Sequence, residues 1–196
     1  MANIAPGIRL IVGLGNPGPR YANTRHNVGA WLLNTLAEKE NQTWQHSSKF
    51  QGNHCKIIRC GHPVILFNPD TFMNCSGQAV LAIAHFYRIL PQQILIAHDE
   101  LDFPSGKIRL KLGGGHGGHN GLRDTVNKLS SSDFMRIRIG IGHPGNKHQV
   151  SDYVLKKPND DDLILINQSI DKALSIIDLL ITGQYEKAFL TLHSET

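Results

Sequence analysis

Hydrophobic and polar positions along this 196-residue chain predict strands and helices in regular succession. Ile8 to Leu14 is apolar and rich in β-branched residues, and a Gly/Pro cluster stops it, so it predicts a buried strand. From Asn27 to Lys39 the apolar residues Val28, Trp31, Leu32 and Leu36 recur near helical spacing. That predicts an amphipathic helix capped near His26 or Asn27. Phe50 to Arg59 and Pro63 to Phe67 predict two strands joined at Cys60-Gly61-His62, and Ser76 to Tyr87 a helix starting near Asn74 or Ser76. Ile94 to Ala97 predicts a short buried strand after Pro91. Lys107 to Lys111 alternates basic and apolar residues, which puts Lys107, Arg109 and Lys111 on one strand face. Gly113 to Gly118 is a glycine-rich loop, Gly121 to Leu129 a short helix, and Arg136 to Ile141 a strand with Arg136 and Arg138 on one face. Asp160 to Ile181 predicts one long helix with an acidic first turn, stopped at Gly183, and Gln184 to Leu192 a last helix. His143 to Gln149, where Pro, Gly, Asn and Lys cluster, is the segment least committed to order.

This alternation predicts the α/β class: a single domain, 1–196, with a twisted mixed, largely parallel sheet flanked by helices on both faces. One core suits this length. The composition, 40% hydrophobic and 18% charged, is ordinary for a globular protein. The richest apolar stretch, Leu163 to Ile181, is interrupted by Asn167, Gln168, Asp171, Lys172 and Asp178, short of the roughly 18 apolar residues a span needs. Met1 to Gly7 lacks the charged start and apolar core of a signal peptide, so a cytoplasmic protein is expected. Three cysteines, Cys55, Cys60 and Cys75, without a CxxC pair argue against a disulfide framework or a cysteine-rich zinc site.

Charge changes the picture. Between Phe103 and Val150 eight basic residues face only Asp124 and Asp133, an excess of six against +4 for the whole chain. An anionic partner, nucleic acid first, fits that concentration, although a solvated charged face would look the same.

Five segments carry candidate chemistry. Gly13-Leu14-Gly15-Asn16-Pro17-Gly18 fits GxGxxG, but a dinucleotide site needs a helix that opens inside the loop and an acid at the end of the next strand, about 20 residues on. Here Pro17 and Pro19 intervene, and Glu38 and Glu40 fall on or just after the helix. In Tyr21 through Asn27, His26 stands where a loop enters a helix beyond the first strand's carboxyl end, the usual ligand edge of an α/β fold. It suits a general base, or equally a polar cap. In Asp70 through Gly77, Asn74 reads as a cap, and Phe72 and Met73 as core. Ala97-His98-Asp99-Glu100-Leu101-Asp102 ends a buried strand; one of its carboxylates could orient a histidine, or the segment could be a metal edge or a surface turn, although no HExxH or HxH partner supports a metal. Lys111 through Leu122 holds a glycine loop that leads to His119 and Asn120 at a helix start and could present amides to phosphate. It lacks the Gly-Lys-Ser/Thr ending of a P-loop.

Together these segments resemble the bacterial peptidyl-tRNA hydrolase family. The resemblance rests on Val12 to Gly18, Tyr21 to Gly29, Thr71 to Asn74 with Ser76-Gly77, His98 to Leu101, Gly113 to Leu122 and Arg136 to Gly145, in that order, and runs from about Ile8 to Pro158. It implies a single α/β domain, monomeric and without cofactor or metal, that hydrolyses the ester of peptidyl-tRNA. It implies His26 as catalytic base, Asp99 as its orienting partner, and Asn16 as the group that tells N-blocked from free aminoacyl esters. Tyr21, Phe72, Met73, Asn74, His119 and Asn120 would line the place of the peptide and the tRNA 3′ end, and Lys111, Arg138 and Lys147 would meet tRNA backbone. A nucleotide-cofactor enzyme using the GxGxxG, and an RNA-binding protein that has lost hydrolysis, are the alternatives.

Overall fold

A computed structural model describes residues 6–194. Most of the segment 1–7, on which the signal-peptide expectation bears, lies outside the described residues. The chain runs β1 (Leu10–Gly13), α1 (Val28–Lys39), β2 (Gln45–Ser47), β3 (Gly52–Arg59), β4 (His62–Pro69) and α2 (Ser76–Phe86). It continues through β5 (Ile94–Glu100), β6 (Ile108–Leu112), α3 (Asn120–Leu129), β7 (Met135–Gly140), α4 (Val150–Val154), α5 (Asp160–Ser175), α6 (Ile177–Ile181) and α7 (Tyr185–His193). The seven strands form one mixed sheet in the order β2-β3-β4-β1-β5-β7-β6. Its centre, β4-β1-β5-β7, is parallel; β2, β3 and β6 pair antiparallel at the edges.

The apolar side chains explain the layers. Ile11, Leu95, Ile137 and Ile139 face one core together with Leu32, Leu36, Ile170 and Leu180. Leu10, Val12, Ile94 and Ile96 face a second core with Val80, Ile83 and Leu122. Successive residues of β1 and of β5 up to Ala97 thus go to opposite faces, which is why both read as unbroken apolar runs. Among the described residues no helix is long and apolar enough to cross a membrane.

One close approach sets the geometry of the site. A Cβ at Gly29 would lie 2.2 Å from the Ala97 carbonyl oxygen. Only a glycine lets the first turn of α1 rest on β5, and that contact brings the residues just before α1 beside the carboxyl end of β5.

The structure departs from the expected elements in four places. β5 extends to Glu100, paired with Gly140 of β7, so His98 and Asp99 lie inside the strand. The expected helix Asp160–Ile181 is interrupted at Ile176 (φ −105°, ψ −2°), next to Ser175, whose hydroxyl donates to the Lys172 carbonyl. Such a local hydroxyl bond competes with helix continuation. β2 is a short polar edge strand without an apolar pattern. The segment least committed to order contains a 3₁₀ turn, Lys147–Gln149, leading into α4. The three cysteines are free thiols.

Candidate active site

A cavity of about 820 Å³ opens at the carboxyl ends of the central strands. Asn16 reaches it from the loop after β1, and Tyr21 and His26 from the approach to α1. Phe72, Met73 and Asn74 come from the turn before α2, and Asp99 from β5. His119 and Asn120 enter at the start of α3, and Lys147 from the turn before α4. Ten of the twelve residues singled out in the sequence therefore meet in one crevice. Lys111 and Arg138 lie outside its lining.

His26 sits in a 3₁₀ turn, Arg25–Asn27. Its Nδ1 is 2.8 Å from Asp99 Oδ1. The same oxygen is 2.9 Å from His119 Nε2. His119 is the N-cap of α3, and its Nδ1 accepts the Leu122 N–H at 3.2 Å. An acceptor at Nδ1 places the proton of neutral His119 on Nε2, which then donates to Asp99. His26 likewise donates from Nδ1, and its Nε2 is left as a lone-pair base. Asp99 is 3% exposed, and only hydrogen-bonded, paired charge is tolerated at such burial.

Burial pulls the His26 pKa down, but the charge and hydrogen bond of Asp99 outweigh it, and the net shift is upward from 6.5. Burial would raise the Asp99 pKa; His26 and His119 reverse this and hold the carboxyl far below its ordinary range. His98 points elsewhere: its Nδ1 donates to the Asp99 carbonyl at 2.7 Å, and burial, with His119 beside it, pushes its pKa down to about 3. It is a neutral packing histidine.

Among the described residues His26, Asp99 and His119 are the one trio close enough to suggest a metal site. Their bonding does not suit one. A metal at His119 Nε2 would need a lone pair where the α3 cap demands a proton.

The amides are also oriented. Asn16 Oδ1 accepts the Met73 N–H at 2.8 Å, which turns its NH₂ group away from that bond. Asn120 Oδ1 accepts from Arg123 at 3.1 Å and keeps its NH₂ free likewise. Tyr21 and Phe72 meet edge to face, ring centroids 6.2 Å apart, on the rim. Ser76 is fully buried and donates to the Met73 carbonyl, so it offers no nucleophile.

The glycine loop is organised around a buried arginine. Gly113, Gly114, Gly117 and Gly118 all have positive φ, as only glycine adopts at little cost. The loop's carbonyls, from Gly113, Gly114 and Gly115, turn inward onto the Arg136 guanidinium. The Gly113 and Gly118 amides are spent on Phe134 and His116. Arg136 is 2% exposed and so leaves the basic surface to which its charge was assigned. Arg138 pairs with Glu100 at 2.8 Å and stacks on Phe103.

Sequence patterns missed three supporting residues. Arg25 is buried and donates to the Lys157 carbonyl at 2.7 Å, with its guanidinium 4.2 Å from the Tyr153 ring centre, so it ties the His26 turn to the α4 wall. Its partners lie more than 120 residues on, and no local pattern announces them. Asn27 looked like a helix cap, but its side chain goes to Asn16. Arg123 looked like part of a charged face and instead orients Asn120.

The fold and the crevice together define an α/β enzyme with a histidine–carboxylate pair at the carboxyl ends of parallel strands. Residues 10–196 match the family described as peptidyl-tRNA hydrolase. A peptidyl-tRNA hydrolase of Coxiella burnetii is 56% identical over 188 residues, 96% of this chain and 98% of the relative. One of Proteus mirabilis is 54% identical over 95% of this chain and 97% of its own. The crystal structure of peptidyl-tRNA hydrolase from Acinetobacter baumannii superposes with a TM-score of 0.92 at 51% identity, covering 94% of each chain. The chain belongs to the peptidyl-tRNA hydrolase family, and it is an enzyme of that hydrolase class.

Proposed function

We propose that this chain hydrolyses the ester between a peptide, or another N-blocked amino acid, and the terminal ribose of tRNA, with His26 as general base. The products are the N-blocked acid and free tRNA, so the reaction returns tRNA from prematurely released peptidyl-tRNA. The observation that carries the proposal is the His26 Nδ1–Asp99 Oδ1 bond of 2.8 Å on the crevice wall, which leaves Nε2 basic. Water gives a proton to Nε2 as its oxygen adds to the ester carbonyl. The tetrahedral intermediate collapses with cleavage of the bond to the ribose oxygen, which takes the proton back from His26. Asp99 stabilises the imidazolium between these steps. The NH₂ groups of Asn16, Asn74 and Asn120 are the available donors for the ester carbonyl and for the carbonyl of the N-blocking group. Burial of Ser76 favours direct attack by water over a covalent route.

We assign the peptide to the Tyr21–Phe72–Met73 side and the tRNA 3′ end to the His119–Asn120 side. Lys111, Arg138 and Lys147 meet tRNA phosphates. The single domain works as a monomer in the cytoplasm, without cofactor, metal or obligate protein partner.

The test compares N-acetylated with free aminoacyl-tRNA, in EDTA. Cleavage of the blocked ester alone, undiminished by the chelator, is the expected result. Cleavage of neither ester would leave a binding protein, and loss of activity in EDTA would require a metal.

A second prediction concerns RNA affinity. Replacing Lys111 and Lys147 by alanine should weaken tRNA binding and flatten the dependence of log K on log salt by about 0.7–0.9 per lost phosphate contact. An unchanged slope would remove these lysines from the RNA contact.

A further inference from the structure

Asn27 stands at the N-cap position of α1, where asparagine ordinarily accepts an N–H of the helix's first turn. It makes no such bond. Its Oδ1 instead accepts the Asn16 N–H at 2.9 Å, and its Nδ2 donates to the Asn16 carbonyl at 2.9 Å. The side chain thus closes a two-bond ring on the backbone of a residue in a different loop, and it is 5% exposed while doing so. Gly15 permits the approach, since a Cβ there would fall 3.0 Å from Asn27 Cγ.

The ring has a consequence for the crevice. Asn16 is held at three points: its N–H and carbonyl by Asn27, and its Oδ1 by the Met73 N–H. Only its NH₂ group remains to meet a ligand. Asn27 is also the residue after His26, in the same 3₁₀ turn, and its own N–H is fixed to the Thr24 carbonyl at 3.0 Å. One short turn therefore carries the base and grips the backbone of the amide facing it.

We propose that Asn27 is a positioning residue that fixes the Asn16 amide relative to His26, and that it thereby sets how sharply the site separates N-blocked from free aminoacyl esters. The proposal rests on the assignment of Asn16 as the group that tells blocked from free esters, its NH₂ donating to the carbonyl of the N-blocking group. The buried cap position is filled by a residue that forgoes capping, which a purely helix-forming role does not explain. Selectivity follows from geometry: a donor displaced by an ångström pairs poorly with the blocked substrate and so loses the advantage it confers on it.

The experiment is a double-mutant cycle on kcat/KM for N-acetylated and free aminoacyl-tRNA, with wild type, Asn27→Ala, Asn16→Ala and the double variant. Asn27→Ala should lower kcat/KM for the blocked ester by roughly 10–100-fold and shrink the blocked-to-free ratio in step. In the Asn16→Ala background the same change should add almost nothing. Full, independent loss in that background would make Asn27 a folding residue and overturn the proposal. Loss at Asn16→Ala with none at Asn27→Ala would overturn the proposal alone. Unchanged selectivity in Asn16→Ala would overturn the assignment of Asn16, and the proposal with it. Because Asn27→Ala leaves two buried groups unpaired, the wild-type protein supplies a second measurement. The Asn16 amide should be protected from hydrogen exchange, and exchange at the rate of an open loop amide would show that the ring does not hold.

Discussion

Replacing His26 by alanine is expected to lower kcat on N-acetylated aminoacyl-tRNA by about 10²–10⁴-fold, with little change in KM and a normally folded protein. The size follows from the proposed role: the variant would lose general-base help but keep the oriented amides and the basic rim proposed to bind the substrate. The wild-type pH profile supplies an independent sign. The base must be neutral, so kcat/KM should rise as pH passes upward through the His26 pKa. Burial lowers that pKa, but Asp99 raises it by more, so the acid limb should lie above 6.5. The same limb should vanish in His26→Ala. A variant that keeps a tenth or more of wild-type kcat, or an acid limb unchanged by the substitution, would move the base elsewhere in the crevice.

The fold class and most of the crevice were legible because their signals are local. β1 and the first four residues of β5 are continuous apolar runs, α1 carries its core face at helical spacing, and the residues at the carboxyl ends of the strands are polar. What the sequence concealed is long-range. Asp99 reads as a residue after a strand, because nothing local shows that pairing with Ile139 of β7 carries β5 on to Glu100. Arg136 reads as one more cation on an alternating strand, yet three carbonyls of a loop more than 20 residues earlier capture it and bury its charge. Asn27 has the composition of a cap and the position of one, and only the approach of the Asn16 loop reveals its other use. In each case the residue type was informative about chemistry, hydrogen bonding or charge, but its partner was set by packing of distant segments. The family resemblance filled that gap for residues inside the motifs, which is why Asp99 and Asn16 were named and Arg123 was not.

Asp99→Asn should cost nearly as much as losing His26 itself, roughly 10²–10⁴-fold in kcat, although the side chain keeps its shape. In the native site a single carboxylate oxygen accepts from both His26 and His119. Removing the charge withdraws what stabilises the His26 imidazolium and leaves burial unopposed, so the acid limb should move to lower pH. An asparagine can keep its Oδ1 at that shared position and still accept from both rings, so the expected loss comes from the missing charge. Asp99→Asn combined with His26→Ala should therefore be no worse than His26→Ala alone, because the two act as one unit. If the double variant instead shows the product of both losses, Asp99 supports the fold around the crevice rather than the proton transfer within it.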